Sequence, residues 1–340
     1  MLNILPNSYL KHKRDEGYAP LRSWYYRGEG ETYSLTIRKR VPMEYLPYKE
    51  RTPDAQYAEL LLTIMEKGID GPTTQGVDCR TYLNYTMRFP LANGFPMITD
   101  RSIKGFWRKP IAELLVFIRG GHTFEELEAA GCDWWSAWTT PEKTRKRGLP
   151  DGDIGPGSYG PAFHNFPMAD GATFDQIANL VQTLKDRPDE RRGFVTPWIP
   201  YLVAKNSKID PKVTIAPCHG TLYARMLDGR LHLTMIQRSG DVPVGVPSNM
   251  VQYGALVLML AQVTGIPAHT YEHHIIDAHI YHDQLPAVET ILAREPRRLP
   301  TVQLTEAGRE ITDIYDFTPD HFEVTDYNPH PGILGIPVAT

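Results

Sequence analysis

Apolar positions along this chain fall into blocks with two different periods. Residues 55–68 (AQYAELLLTIMEKG) carry Leu, Ile and Met at helical spacing and stop at Gly68, which predicts an amphipathic helix. Residues 80–90 (RTYLNYTMRFP) alternate, as a half-buried strand does. A helix is predicted from Ile111 to Ile118, just after Pro110, with Glu113 set inside an apolar run. Gly and Pro crowd residues 147–162, which read as loop, and residues 174–186 (FDQIANLVQTLKD) return to helical spacing before Arg191-Arg192. Residues 220–236 read as two strands around Asp228-Gly229, a dipeptide that favours a two-residue hairpin turn. A long apolar helix is expected at 250–265 and a strand from His273 to Tyr281. Strands and helices mix without a regular strand–helix–strand alternation, so the expected class is α+β. Residues 1–53 stand apart as an extension rich in Tyr, Pro and mixed charge, leaving 54–340 as the main domain. Within the extension, Tyr33–Ile37 is strand-like, and Arg38-Lys39-Arg40 reads as a solvated strand end.

Composition narrows the class of protein. With 340 residues, 41% hydrophobic and 22% charged, the chain has the make-up of a globular enzyme. No apolar run reaches the roughly 20 residues that span a bilayer, and the first thirty residues lack the core of a secretion signal. A formal net charge of −4 argues against general binding of nucleic acid. Cys79, Cys132 and Cys218 cannot all pair within one chain, and free thiols fit a cytoplasmic location.

The chemistry concentrates around the hairpin. Its two ends must meet, which brings Cys218 of Ala216-Pro217-Cys218-His219 beside Arg238 of Gln237-Arg238-Ser239-Gly240-Asp241. A guanidinium beside a thiol favours the thiolate, the nucleophilic form. Arg238 and Ser239 equally suit an anionic group such as a phosphate. Glu113 in AELLVFI is either a carboxyl raised toward acid–base range by burial or the partner of an arginine such as Arg119. Arg191 and Arg192 are a solvated helix end or an anion clamp, with spacing favouring the first. The histidines of EHHIIDAHIYHD invite a metal site, but in a strand His273 and His279 share one face and His274 and His282 the other, so no metal is expected.

Several further stretches occur in a telling order: FPMITD, FWR, AELLVFI, CDWWSAW with Trp135 and Trp138, IGPGSYG, DERRGFV, APCH, QRSGDVPVGVPSN, DAHIY, REPR, YNPHPG and PVAT. Together they resemble the thymidylate synthase family of pyrimidine-nucleotide C5 methylases and hydroxymethylases, over roughly residues 54–340. The resemblance implies a mixed sheet packed with helices and forming the interface of a homodimer with shared sites. It implies Cys218 as the nucleophile at C6, Glu113 as the acid–base relay and Tyr159 as a helper in removing the C5 proton. Arg238, Ser239 and Gln237 match the nucleotide site, with Arg191 and Arg192 reaching in from the second subunit. Asn249 matches the amide that reads the base edge, and His279 and Tyr281 match the sugar contacts. Asp241, Trp135, Gly245 and Thr340 match the folate site, with Asp241 also among the catalytic positions. The implied co-substrate is 5,10-methylenetetrahydrofolate, and the implied partner a pyrimidine nucleoside monophosphate.

The chain departs from the family pattern in four places. Thr73-Thr74-Gln75-Gly76 lacks the phosphate-loop arginine, for which Arg80 is the nearby substitute. Ser248 stands before Asn249, Ile275 and Ile276 precede Asp277, and the chain ends in Thr340. An amide at 249 suits uracil, a carboxylate there suits cytosine, and the expected reaction is methylation of deoxyuridylate. Hydroxymethylation of a uridine or cytidine nucleotide is the alternative within the family. A silent nucleotide- or RNA-binding relative and a Cys-His hydrolase are the alternatives outside it.

Overall fold

The computed structural model describes residues 43–339. The strand expected at 33–37, the basic triplet at 38–40 and Thr340 lie outside the described residues. The centre of the molecule is a six-stranded sheet of β1 (Ile69–Gly71), β2 (Cys79–Pro90), β3 (Phe194–Val195), β4 (Thr221–Leu227), β5 (Arg230–Asp241) and β6 (Ala268–Tyr281). The strands lie in the order β1-β2-β6-β5-β4-β3. Every neighbouring pair is antiparallel except β5 and β6, which run parallel. The principal helices are α1 (Gln56–Lys67), α2 (Lys109–Ile118), α3 (Tyr159–His164), α4 (Gln176–Asp186), α5 (Gly245–Thr264) and α6 (Leu285–Leu292). This is the α+β architecture the pattern implied, with a mixed sheet packed against helices.

The hairpin forms where its turn residues place it. Asp228 (φ 50°) and Gly229 (φ 72°) both take the positive φ that a tight two-residue hairpin turn requires, and Leu227 pairs with Arg230. The register carries Thr221 opposite Ile236, and just beyond the pairing the Arg238 amide donates to the Cys218 carbonyl at 2.6 Å. Two residues separated by a whole hairpin therefore meet through the backbone as well as through their side chains.

A parallel pair cannot be closed by a turn, so β5 and β6 need a crossover, and α5 supplies it. The helix is buried nearly all round, with Met250, Val251, Tyr253, Leu256, Val257 and Leu260 at 1% exposure or less. Each such side chain contributes about 1.5–3 kcal/mol by leaving water, and the cross-sheet position of the helix is firmly held. It begins at Gly245, earlier than the 250 expected; Pro247 sits in the first turn, where a missing N–H costs no intrahelical hydrogen bond. The early start places Asn249 and Gln252 on one rigid helix. Gly265 ends it with the left-handed φ of 69°.

The other helices follow their patterns. In α1, Tyr57, Leu60, Leu61 and Ile64 form the buried stripe, and the Gly68 amide closes the last turn on the Ile64 carbonyl at 2.9 Å. In α2 every residue from Pro110 to Ile118 is buried, Glu113 included. By contrast α3 begins inside the stretch read as loop at 147–162 and runs two residues past it; it is one short turn and a half, opened by Ser158 and bearing a Gly-Pro pair. Residues 43–53 are fastened to the body: Tyr45 donates to the Val302 carbonyl at 2.7 Å, and Arg51 to the Leu299 carbonyl and Thr301 Oγ1. Among the described residues no helix is long and apolar enough to cross a membrane.

Candidate active site

Cys218 lies in the connection that enters β4, half-buried. Its thiol donates to the Ala216 carbonyl at 3.4 Å, and Arg238 Nη2 donates to its sulfur at 3.3 Å. Arg238 Nε also reaches the Pro217 carbonyl at 3.3 Å, and the guanidinium lies over the Trp198 ring at 5.4 Å. The neighbouring arginine was expected to make a thiolate. In the free chain burial dominates and pushes the thiol upward, the positive charge of Arg238 opposes it, and the negative charge of Asp277 adds to the rise. Arg238 thus limits a penalty rather than setting the protonation state by itself.

Tyr159, at the start of α3, accepts the Cys218 amide proton on its hydroxyl at 2.7 Å. Its ring stacks on His219 at 4.5 Å and on Phe117 of α2 at 4.8 Å. His219 in turn bonds the Tyr253 hydroxyl at 2.7 Å, and burial drops its pKa to about 3, so it stays neutral. Burial likewise holds the Tyr159 hydroxyl well above its usual value, so it serves as a neutral donor and acceptor.

Glu113 is caged. Oε1 accepts from Trp134 Nε1 at 2.7 Å and from Trp135 Nε1, and Oε2 accepts from Gln252 Nε2. Burial raises its carboxyl, and the three N–H donors pull it back. Arg119 is not its partner; that guanidinium donates to the Tyr315 and Phe317 carbonyls. A carboxyl raised by burial yet surrounded by donors can hold or release a proton without losing its place.

The polar network runs on from Glu113 across two elements. Gln252 Oε1 accepts from Asn249 Nδ2 at 2.8 Å, and Asn249 Oδ1 accepts from Gln237 Nε2 at 3.0 Å. Gln237 also donates to the Ser239 carbonyl at 3.1 Å, while its Oε1 meets His273 Nε2 at 2.7 Å. His273 is therefore a buried network member whose pKa falls to about 3, and Tyr271 bonds its other nitrogen at 3.1 Å. Among the described residues no group of three or more His, Cys, Asp or Glu side chains is placed to hold a metal ion.

Asp241 closes β5. Gln284 Nε2 reaches both of its carboxylate oxygens, at 3.1 and 3.0 Å, and the Pro337 carbonyl at 3.0 Å. Burial lifts Asp241 to about 6. His279 Nδ1 lies 2.8 Å from Asp277 Oδ1, and the rings of His279 and Tyr281 meet edge-on at 5.2 Å. The parallel register sets Ser239 against Asp277 and Asp241 against His279. Gly245 begins α5, directly after the turn in which the Val244 amide donates to Asp241 at 3.2 Å. Arg191 and Arg192 are both exposed in the single chain. Arg80 is bound to Asp70 through two of its nitrogens, at 2.9 and 2.8 Å, and to the Met65 carbonyl. As folded it is therefore committed elsewhere and leaves the 73–76 loop without its guanidinium.

Trp134, Gln252 and Gln284 were not singled out by sequence reasoning. Gln252 carried a usable signal, an amide within an apolar helix, the same cue that drew attention to Glu113. Trp134 lay within the CDWWSAW stretch without being given a role, and Gln284 carried no local signal for its contact with Asp241.

A family model described as thymidylate synthase matches residues 55–339. The chain belongs to that family. At the level of the family this means methyltransferase-type enzymes that methylate or hydroxymethylate pyrimidine nucleotides at C5 and use methylenetetrahydrofolate.

Proposed function

We propose that this protein transfers a one-carbon unit to C5 of a pyrimidine nucleoside 5′-monophosphate, converting deoxyuridylate to thymidylate. The observation that carries the reading is the arrangement around Cys218: a thiol touched by a guanidinium, with its own amide bound to the Tyr159 hydroxyl. Phosphate binding at Arg238 and Ser239 brings the nucleotide against the thiol. Cys218 adds to C6, which makes C5 nucleophilic. Asn249 holds the N3–O4 edge, and charge developing at O4 falls within reach of the buried amide and carboxyl network. Glu113, with Tyr159, moves the protons, the C5 proton included. Elimination at C6 then frees Cys218.

The co-substrate supplies the one-carbon unit and, for methylation, the hydride. Asp241 fits a ring bearing N–H donors, because its half-buried carboxylate has only one side-chain donor, Gln284, among the described residues. Trp135 and Gly245, with Thr340 at the chain end, complete that side in this reading. His279 and Tyr281 take the sugar. Arg191 and Arg192, exposed here, reach the phosphate of a neighbouring subunit. A homodimer through the sheet is supported by apolar side chains exposed on its strands, Leu83 at 59%, Ile276 at 40% and Phe194 at 50%. Nothing in the set calls for a membrane, a nucleic acid or a metal, and the reading places the enzyme in the cytoplasm. An amide at 249 favours uracil. Hydroxymethylation of dUMP, dCMP or CMP is the second reading, favoured by the departure at Ser248 beside the base-reading amide.

The test is release of tritium from C5-labelled dUMP. With methylenetetrahydrofolate the full chain releases the label to water, and Cys218→Ala does not, although it still binds the nucleotide. Absence of release with every pyrimidine monophosphate would point to a silent binder.

A further inference from the structure

Asn249 is held from two sides, and the two holds agree. On one side Gln237 must present its Nε2, because the Ser239 backbone carbonyl it faces at 3.1 Å can only accept. On the other side Gln252 presents its Nε2 to Glu113 Oε2, which accepts it whenever the carboxyl is ionised, the state that the surrounding N–H donors favour. Gln252 therefore turns Oε1 toward Asn249, and Gln237 turns a donor toward it. Asn249 has one orientation that satisfies both: Nδ2 toward Gln252 at 2.8 Å and Oδ1 toward Gln237 at 3.0 Å. All three amides are buried, with Gln252 at 0%, Gln237 at 2% and Asn249 at 6% exposure, so a flipped amide would leave opposed donors and opposed acceptors out of water.

This matters because an amide can pair with either base. One orientation meets a donor N3 and an acceptor O4, and the reverse meets an acceptor N3 and a donor N4. Discrimination between uracil and cytosine by an asparagine therefore needs something that stops the flip. We propose that Gln252 is a positioning residue for base selection: it relays the acceptor character of Glu113 to Asn249 and so fixes which pyrimidine edge the amide can read. The inference rests on the nucleotide reading of the site and adds the residue that makes its specificity. It also links the two halves of the chemistry, since the group that moves the proton is the group that sets the amide.

Two variants separate the roles. Gln252→Met keeps the length of the side chain and removes both hydrogen bonds. Gln252→Glu keeps an acceptor for Asn249 but sets a second carboxyl against Glu113, where the pair retains a proton. The affinities of the full chain for dUMP and dCMP, measured by calorimetry without folate, give the selectivity ratio directly. The wild-type chain prefers dUMP. Gln252→Met lowers that ratio about fivefold or more, the worth of one lost hydrogen bond, while affinity for the phosphate-bearing nucleotide persists. Gln252→Glu keeps the ratio and loses turnover. An unchanged ratio in Gln252→Met, or equal losses of ratio in both variants, overturns the proposal. A wild-type chain that binds neither nucleotide overturns the nucleotide reading itself, a result distinct from binding with altered preference.

Discussion

Arg238 Nη2 stands 3.3 Å from Cys218 Sγ, and the Arg238 amide donates to the Cys218 carbonyl at 2.6 Å. The backbone contact fixes the distance that the side chains then use. Burial raises the Cys218 thiol and Arg238 holds the rise in check, so Arg238→Gln removes that opposing positive charge. Alkylation of Cys218 by iodoacetamide near neutral pH, followed on its own peptide by mass spectrometry, should slow about tenfold. An unchanged rate would mean that the guanidinium serves the phosphate alone.

Glu113 is useful because its carboxyl can change protonation inside a fixed cage of Trp134, Trp135 and Gln252. Glu113→Gln keeps the shape and removes the proton exchange. Tritium release from C5-labelled dUMP should fall about a hundredfold or more, with nucleotide affinity changed only a few-fold. Equal losses in both would assign Glu113 to binding.

Much of this was readable in the chain before its structure. The hairpin was legible because Asp228-Gly229 permits little else, and its register then brings Cys218 to Arg238. Glu113 was legible because a carboxylate in an apolar helix demands a reason. α5 starts at Gly245 rather than at 250 because a first turn accepts proline, while Gly245, Ser248 and Asn249 carry none of the apolar run that marks the rest of the helix. Short α3 has no room for periodicity. The partners of Gln252 and Gln284 depend on tertiary distance, which local pattern does not carry.

Asp241 yields a stability test with a defined sign. Its pKa rises from 3.8 to about 6 on folding, so the folded chain disfavours the ionised form. The penalty is absent below the unfolded pKa, grows as pH climbs toward 6, and is complete above it. The melting-temperature advantage of Asp241→Asn over the parent should therefore widen between about pH 4 and pH 6.5 and stay level beyond. A gap that narrows over this range would contradict the assignment.

Gln284 joins Asp241 to the tail through the Pro337 carbonyl at 3.0 Å. Gln284→Leu leaves both without that donor. The KM for methylenetetrahydrofolate should rise at least severalfold while the KM for the nucleotide stays close to the parent value. A rise confined to the nucleotide would separate this contact from the folate side.

C5 transfer through Cys218 is read most directly by one assay. Purified protein is given methylenetetrahydrofolate with dUMP, dCMP, UMP or CMP, dihydrofolate is followed by absorbance, and the nucleotide product is weighed by mass spectrometry. Dihydrofolate formed together with thymidylate from dUMP, and lost in Cys218→Ala, is the predicted result. A hydroxymethylated nucleotide without dihydrofolate, or no product from any of the four, would contradict it.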